Sequence, residues 1–154
     1  DRYQELTENL MMFYTGEVHS ASSILTEQSK NIVEGDREKN QLKMCELAAE
    51  LREELQHNNV DAMGEILHEG WKLKRTLASG ISSPMIDEIY DTAMRKGAIG
   101  GKLLGAGGGG FLLFYVPKRR QQEVRTALNL VQMPIELDRQ GSSVIYVGSK
   151  PDIL

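Results

Sequence analysis

The chain has 154 residues, 40% of them hydrophobic and 26% charged, and a formal net charge of −4. A chain of this length buries a real core as one domain, 1–154, and its acidic balance excludes the broad basic footprint of a nucleic-acid-binding protein. No apolar run approaches a membrane span and no signal-peptide pattern is present, so a cytoplasmic protein with no membrane partner is expected.

In chain order, Leu10-Met11-Met12-Phe13-Tyr14 is a short apolar run stopped by Thr15-Gly16 and reads as a buried strand. From His19 to about Val33, Ala21, Ile24, Leu25, Gln28 and Ile32 share one helical face, and Gly35-Asp36 interrupts the pattern. A second helix is predicted from about Glu38 to Gln56, with His57-Asn58-Asn59 as a turn. The single cysteine, Cys45, excludes an internal disulfide or a multi-cysteine metal site. Its helical spacing with Met44, Ala48, Leu51 and Leu55 predicts a small buried hydrophobe.

A third helix runs from about Val60 to Leu77, with Met63, Ile66, Leu67, Leu73 and Leu77 on its apolar side. Gly70 lies near that side, where a missing side chain would let another helix approach closely. His57 and His68 lack metal-ligand spacing and read as surface residues, and no metal site is expected. The fourth helix has the clearest signals. Ser83 can cap its free amides, Pro84 suits the first helical position, and Ile86, Ile89, Tyr90, Ala93 and Met94 follow helical spacing up to Gly97.

Two strands follow, Ala98–Leu104 and Gly110–Val116, joined by a glycine-rich loop. Pro117 opens a fifth helix with Val124, Leu128 and Val131 facing inward, and Lys118-Arg119-Arg120 reads as its solvated start. A last strand is predicted near Ser143–Val147, with a short extended piece around Met133–Leu137. The order is strand, four helices, two strands, helix, strand. Counting the four helices as one elaborated crossover gives the β-α-β-β-α-β order of a ferredoxin-like split sheet, an α+β fold.

The segment that carries chemistry is Gly100-Gly101-Lys102-Leu103-Leu104-Gly105-Ala106-Gly107-Gly108-Gly109-Gly110-Phe111. Four consecutive glycines are costly in backbone entropy, and what they allow is positive φ and close backbone approach to a ligand. Gly105, Ala106, Gly107, Gly108, Gly109 and Gly110 can thus form a nest of N–H groups for a phosphate. A flexible hairpin loop is the plain alternative, opposed by the apolar strands that pin both ends. No Gly-Lys-Ser/Thr follows the run, and a strand rather than a helix comes after it, so neither a Walker loop nor a dinucleotide fingerprint fits. Lys102 reads as solvent-facing or structural rather than catalytic.

The segment Lys102 to Phe111 resembles the third, C-terminal motif of the GHMP kinases, named for galactokinase, homoserine kinase, mevalonate kinase and phosphomevalonate kinase. Tyr14-Thr15-Gly16 followed by Ala21-Ser22-Ser23-Ile24-Leu25, the run Gly80-Ile81-Ser82-Ser83-Pro84, and Gly-Gly-Lys-Leu-Leu before the loop look most like the bacterial D-glycero-D-manno-heptose 7-phosphate kinase group. His19 stands where that group's pattern has arginine, which makes it a candidate contact to the substrate, with an ordinary helix-start histidine as the plain alternative. Leu104 and Phe111 replace the threonine and cysteine of many other members.

The resemblance implies a C-terminal half of an ATP-dependent kinase acting on a sugar or sugar phosphate. It also implies that ATP and Mg²⁺ are bound mainly by an N-terminal domain holding a second glycine/serine loop and the catalytic carboxylates. No such loop occurs here, so no catalytic residue is expected in this chain and the chain alone is expected to be inactive. Its start at Asp1 without methionine is as expected of a trimmed segment, a cleavage product or a domain of something longer. A non-catalytic ferredoxin-like binding or regulatory domain is the reading from another class, since fold alone never fixes function.

Overall fold

The computed structural model describes residues 2–17, 20–34, 37–138 and 140–145. Its elements are α1 (Arg2–Asn9), β1 (Leu10–Tyr14), α2 (Ala21–Glu34), α3 (Glu38–Gln56), α4 (Ala62–Arg75), α5 (Pro84–Arg95), β2 (Gly100–Leu103), β3 (Phe111–Tyr115), α6 (Gln121–Leu128) and β4 (Gln132–Met133). The four strands form one sheet in the order β2-β3-β1-β4, and each neighbouring pair is antiparallel. With the helices included, this is the ferredoxin-like α+β arrangement that the element order predicts.

The strands are short apolar runs whose alternate residues share a face. Pairing of Met11 with Phe114, Phe13 with Leu112, and Leu103 with Leu112 puts these side chains together on the core side. Against them pack Trp71 from α4, Ile86 and Tyr90 from α5, and Val124 from α6, all buried. The Tyr90 and Phe114 rings lie 5.5 Å apart at 42°, a tilted arrangement that suits aromatic quadrupoles. Burial raises the Tyr90 hydroxyl well above its ordinary value. Burial and then the bond to Asp61 do the same at Tyr115, which donates to Asp61 Oδ1 at 2.6 Å.

The fourth predicted helix forms as read: Ser83 is extended, its Oγ accepts from the Ile86 N–H at 3.2 Å, and Pro84 is the first helical residue. Several expectations need correction. The fourth strand is Gln132–Met133, beside β1, within reach of the extended piece foreseen at 133–137. Residues 143–145 belong to no strand, and 146–147 lie outside the described residues. The weak two-residue edge strand has too few side chains to leave an alternation signal. Val131 is 64% exposed rather than inward, because the left-handed Asn129 ends α6 and turns the chain before it.

Cys45 is exposed, not buried. The side of α3 turned to the protein is Met44, Leu47 and Leu51, and Cys45 lies about 100° around the helix from Met44. His68 is half-buried rather than a surface residue. Its ring stacks on Tyr90 with 5.9 Å between centroids, its Nδ1 is 2.8 Å from the Tyr90 hydroxyl, and burial lowers its pKa. Gly70 admits no neighbouring helix, since a Cβ there would meet nothing within 4 Å. The close approach falls instead at Gly64 and Gly100, where α4 lies against β2. Helix α1, whose exposed and half-buried residues carry no strong apolar stripe, escaped the sequence reading altogether.

Candidate functional site

The loop between β2 and β3 is held from three sides. The Gly108 N–H donates to the Ile81 carbonyl at 2.9 Å, just before the cap of α5, and the Gly110 N–H donates to the Glu17 carbonyl at 2.8 Å, just after β1. The Gly110 carbonyl in turn accepts from the Thr15 N–H at 2.9 Å and from Thr15 Oγ1 at 3.0 Å. At its other end the Gly105 carbonyl accepts from Lys74 Nζ on α4. Gly107 has φ +125°, and a Cβ there would lie 2.7 Å from Ile81 Cα, so no other residue fits without moving backbone. This is a fixed loop, not a flexible hairpin.

The pins divide the loop amides into two sets. Those of Gly108 and Gly110 are engaged within the protein. Those of Gly105, Ala106, Gly107 and Gly109 find no acceptor among the described residues. Of the six loop residues expected from sequence to cradle a phosphate, two thus have their amides engaged within the protein and four do not. Fixed N–H groups without protein acceptors are what an anionic oxygen takes up in place of water.

Beside Gly108 opens a cavity of about 250 Å³ lined by Ser23, Ile24 and Glu27 of α2 and by Gly80, Ser82 and Ser83. The start of α2 and the capped start of α5 both border it, and helix N-termini favour anions. Glu27 accepts from the Ser79 N–H at 2.8 Å and from Ser79 Oγ at 3.1 Å, and these two bonds lower its pKa. Ser83 Oγ also reaches the Glu17 carboxylate at 3.3 Å. Hydroxyls and a carboxylate around one small cavity suit a polyhydroxylated guest.

The three segments that carry the family resemblance, 14–16, 80–84 and 102–104, thus meet at the glycine loop although up to about ninety residues separate them in the chain. His19 lies outside the described residues. Lys102 lies partly buried at the end of β2 and faces the α3–α4 side. Two residues escaped the sequence reading. Glu27 follows Ile24 at helical spacing, and Lys74 falls on the apolar stripe of α4 with Leu67 and Trp71. A lysine on an apolar stripe was the available signal. Burial, with Lys102 adding repulsion, brings the Lys74 ammonium down to about 8. Among the described residues no group of His, Cys, Asp and Glu could hold a metal ion, and no helix is long and apolar enough to cross a membrane.

A pinned glycine loop on an antiparallel ferredoxin-like sheet defines a class, and comparison with known proteins gives the family. The GHMP kinases C terminal family matches residues 51–131, just over half of the chain, and the chain belongs to that family. GHMP kinases are ATP-dependent phosphotransferases.

The bifunctional fucokinase/GDP-fucose pyrophosphorylase of Arabidopsis thaliana is 31% identical over an alignment of 108 residues that covers 67% of this chain and 10% of that protein. The crystal structure of L. major mevalonate kinase in complex with R-mevalonate aligns with a TM-score of 0.69 at 21% identity, over 78% of this chain and 37% of that one. A D-glycero-D-manno-heptose 1-phosphate kinase from Bacteroides thetaiotaomicron aligns with a TM-score of 0.50 at 24% identity, over 86% and 34%. At these identities the structural likeness is one of fold. The chain spans a tenth of the curated relative and just over a third of these solved kinases.

Proposed function

We propose that this chain is the C-terminal half of a kinase that phosphorylates a sugar or sugar phosphate, with a heptose 7-phosphate as the acceptor class. The observation that carries the reading is a loop with four unpaired amides whose Gly108 borders a cavity lined by serine hydroxyls and the Glu27 carboxylate. The fucokinase similarity supports a sugar as the acceptor, as do the residues shared with the heptose kinase group.

In this reading the amides of Gly105, Ala106, Gly107 and Gly109 face the phosphoryl group, while Ser23, Glu27, Ser82 and Ser83 orient the acceptor hydroxyls. Phosphoryl transfer depends on positioning and charge stabilisation more than on covalent help, and fixed backbone dipoles supply both. ATP, when bound, supplies the phosphoryl group, and an N-terminal domain would hold most of the nucleotide, Mg²⁺ and the catalytic carboxylates. His19 would meet the acceptor's own phosphate. The location would be cytoplasmic.

The test is ADP release with Mg²⁺ and a panel of heptose 7-phosphate, unphosphorylated heptose, fucose, mevalonate and homoserine. The purified chain should show no turnover, and a polypeptide joining it to its kinase N-terminal domain should prefer the phosphorylated sugar. A preference for mevalonate would overturn the sugar assignment.

A further inference from the structure

Between α3, α4 and β2 lies a second cavity, of about 200 Å³, lined at one point by Lys74. Leu47 and Leu51 of α3 form one wall, Trp71 another, and Gly70 leaves room where a side chain would stand. Among the described residues, Lys74 and Lys102 are its only charged lining residues and no carboxylate lines it. Neither lysine makes an ion pair among the described residues, whereas the neighbouring Lys72 and Arg75 pair with Glu69 and Asp87. Trp71 is 1% exposed, and its indole N–H has no acceptor among the described residues.

We propose that this cavity binds a small amphipathic anion, its apolar body between Leu47, Leu51 and Trp71 and its carboxylate or phosphate on Lys74 and Lys102. Two unpaired ammonium groups at the edge of an apolar hollow attract an anion far more strongly than the same groups in water would. A cavity of roughly 150 Å³ with apolar walls holds a benzene-sized body, so the space here suits a six-membered ring with one charged substituent. The depressed Lys74 value is the mark of a cation without a counter-ion, which such a ligand would supply.

The site is separate from the cavity at Ser23 and Glu27, and its occupation has a consequence for the glycine loop. An anion on Lys74 would bind the ammonium that also donates to the Gly105 carbonyl, and the three N–H groups of that ammonium can serve both acceptors. Binding would therefore act on one of the loop's tethers, which couples this cavity to the loop.

Trp71 is the chain's single tryptophan, so its fluorescence reports this cavity alone. The experiment titrates the chain at neutral pH with cyclohexanecarboxylate, cyclohexylmethanol and cyclohexylamine. The carboxylate should change Trp71 emission saturably and bind about tenfold or more tightly than the alcohol, with the amine weakest. Lys74→Met should weaken the carboxylate by about the same factor, and Gly70→Leu, which fills the hollow, should abolish the response. Equal binding of carboxylate and alcohol, or undiminished binding to folded Gly70→Leu, would overturn the proposal. The ligand series on the unmodified chain decides the question even where a variant fails to fold.

Discussion

Gly64 on α4 and Gly100 on β2 touch backbone to backbone: a Cβ on Gly100 would overlap the Gly64 carbonyl oxygen and lie 2.9 Å from His68 Cβ. A Cβ on Gly64 would lie 2.7 Å from the Ile99 side chain. The contact seats α4 directly on the strand that leads into the glycine loop, which is how Lys74, at the far end of the same helix, reaches Gly105.

Gly100→Ala should therefore destabilise the fold by about 3 kcal/mol, the upper part of the overpacking range, because backbone cannot swing aside as a side chain can. Gly70→Ala is the matched control. Its Cβ would enter open space in an ordinary helical position, so it should stabilise by ~1 kcal/mol. Urea unfolding of the two variants checks both signs at once.

Gly107→Ala tests the loop rather than the core. The added methyl would press on Ile81 at a φ of +125°, shifting the loop while the sheet stays paired. In a complete kinase the expected loss is on the order of 10²–10³ in kcat, the usual effect of displacing a fixed donor. Near-normal turnover would show that the loop's shape is irrelevant to transfer.

Lys74 should trade stability for its tether. Its folded-state value, about 8 against an ordinary 10.5, means the folded protein holds that proton less tightly than the unfolded chain does. Its charge opposes folding below about pH 8, and the opposition fades as pH rises from there toward the unfolded value. Lys74→Met should accordingly raise Tm by roughly 2–4 °C near neutral pH, and the gain should shrink from about pH 8 and be gone near the unfolded value of 10.5. A lower Tm for Lys74→Met at neutral pH would mean that the Gly105 contact outweighs the desolvation.

Cys45 offers a direct check on the packing of α3. Being exposed, it should react fully with a thiol reagent in the native state, at a rate little changed by mild denaturant. Slow reaction that accelerates on unfolding would put Cys45 back in the core.

Much of the fold was legible in the chain because its signals are local. The residues from Glu38 to Gln56 form a helix as their spacing predicts, and Ser83-Pro84 starts α5 through a cap that two adjacent residues define. What stayed hidden depends on distant partners. Gln132–Met133 becomes a strand only because β1 presents an edge to it, and Gly64 and Gly100 reveal their purpose only when they meet. The glycine run signalled a loop of unusual backbone, but which of its amides remain unpaired depends on Glu17 and Ile81, far away in sequence. Lys74 looked like any basic residue in a last helical turn until Trp71 and Lys102 enclosed it.

In the proposed kinase, the loop would hold a phosphoryl group through amides the protein itself leaves unpaired. Backbone amide NMR of the chain, titrated with inorganic phosphate and then with heptose 7-phosphate, tests it residue by residue. The amides of Gly105, Ala106, Gly107 and Gly109 should shift together and saturate, while those of Gly108 and Gly110, bonded to Ile81 and Glu17, should move little. Shifts spread evenly over the loop, or none there at all, would contradict it.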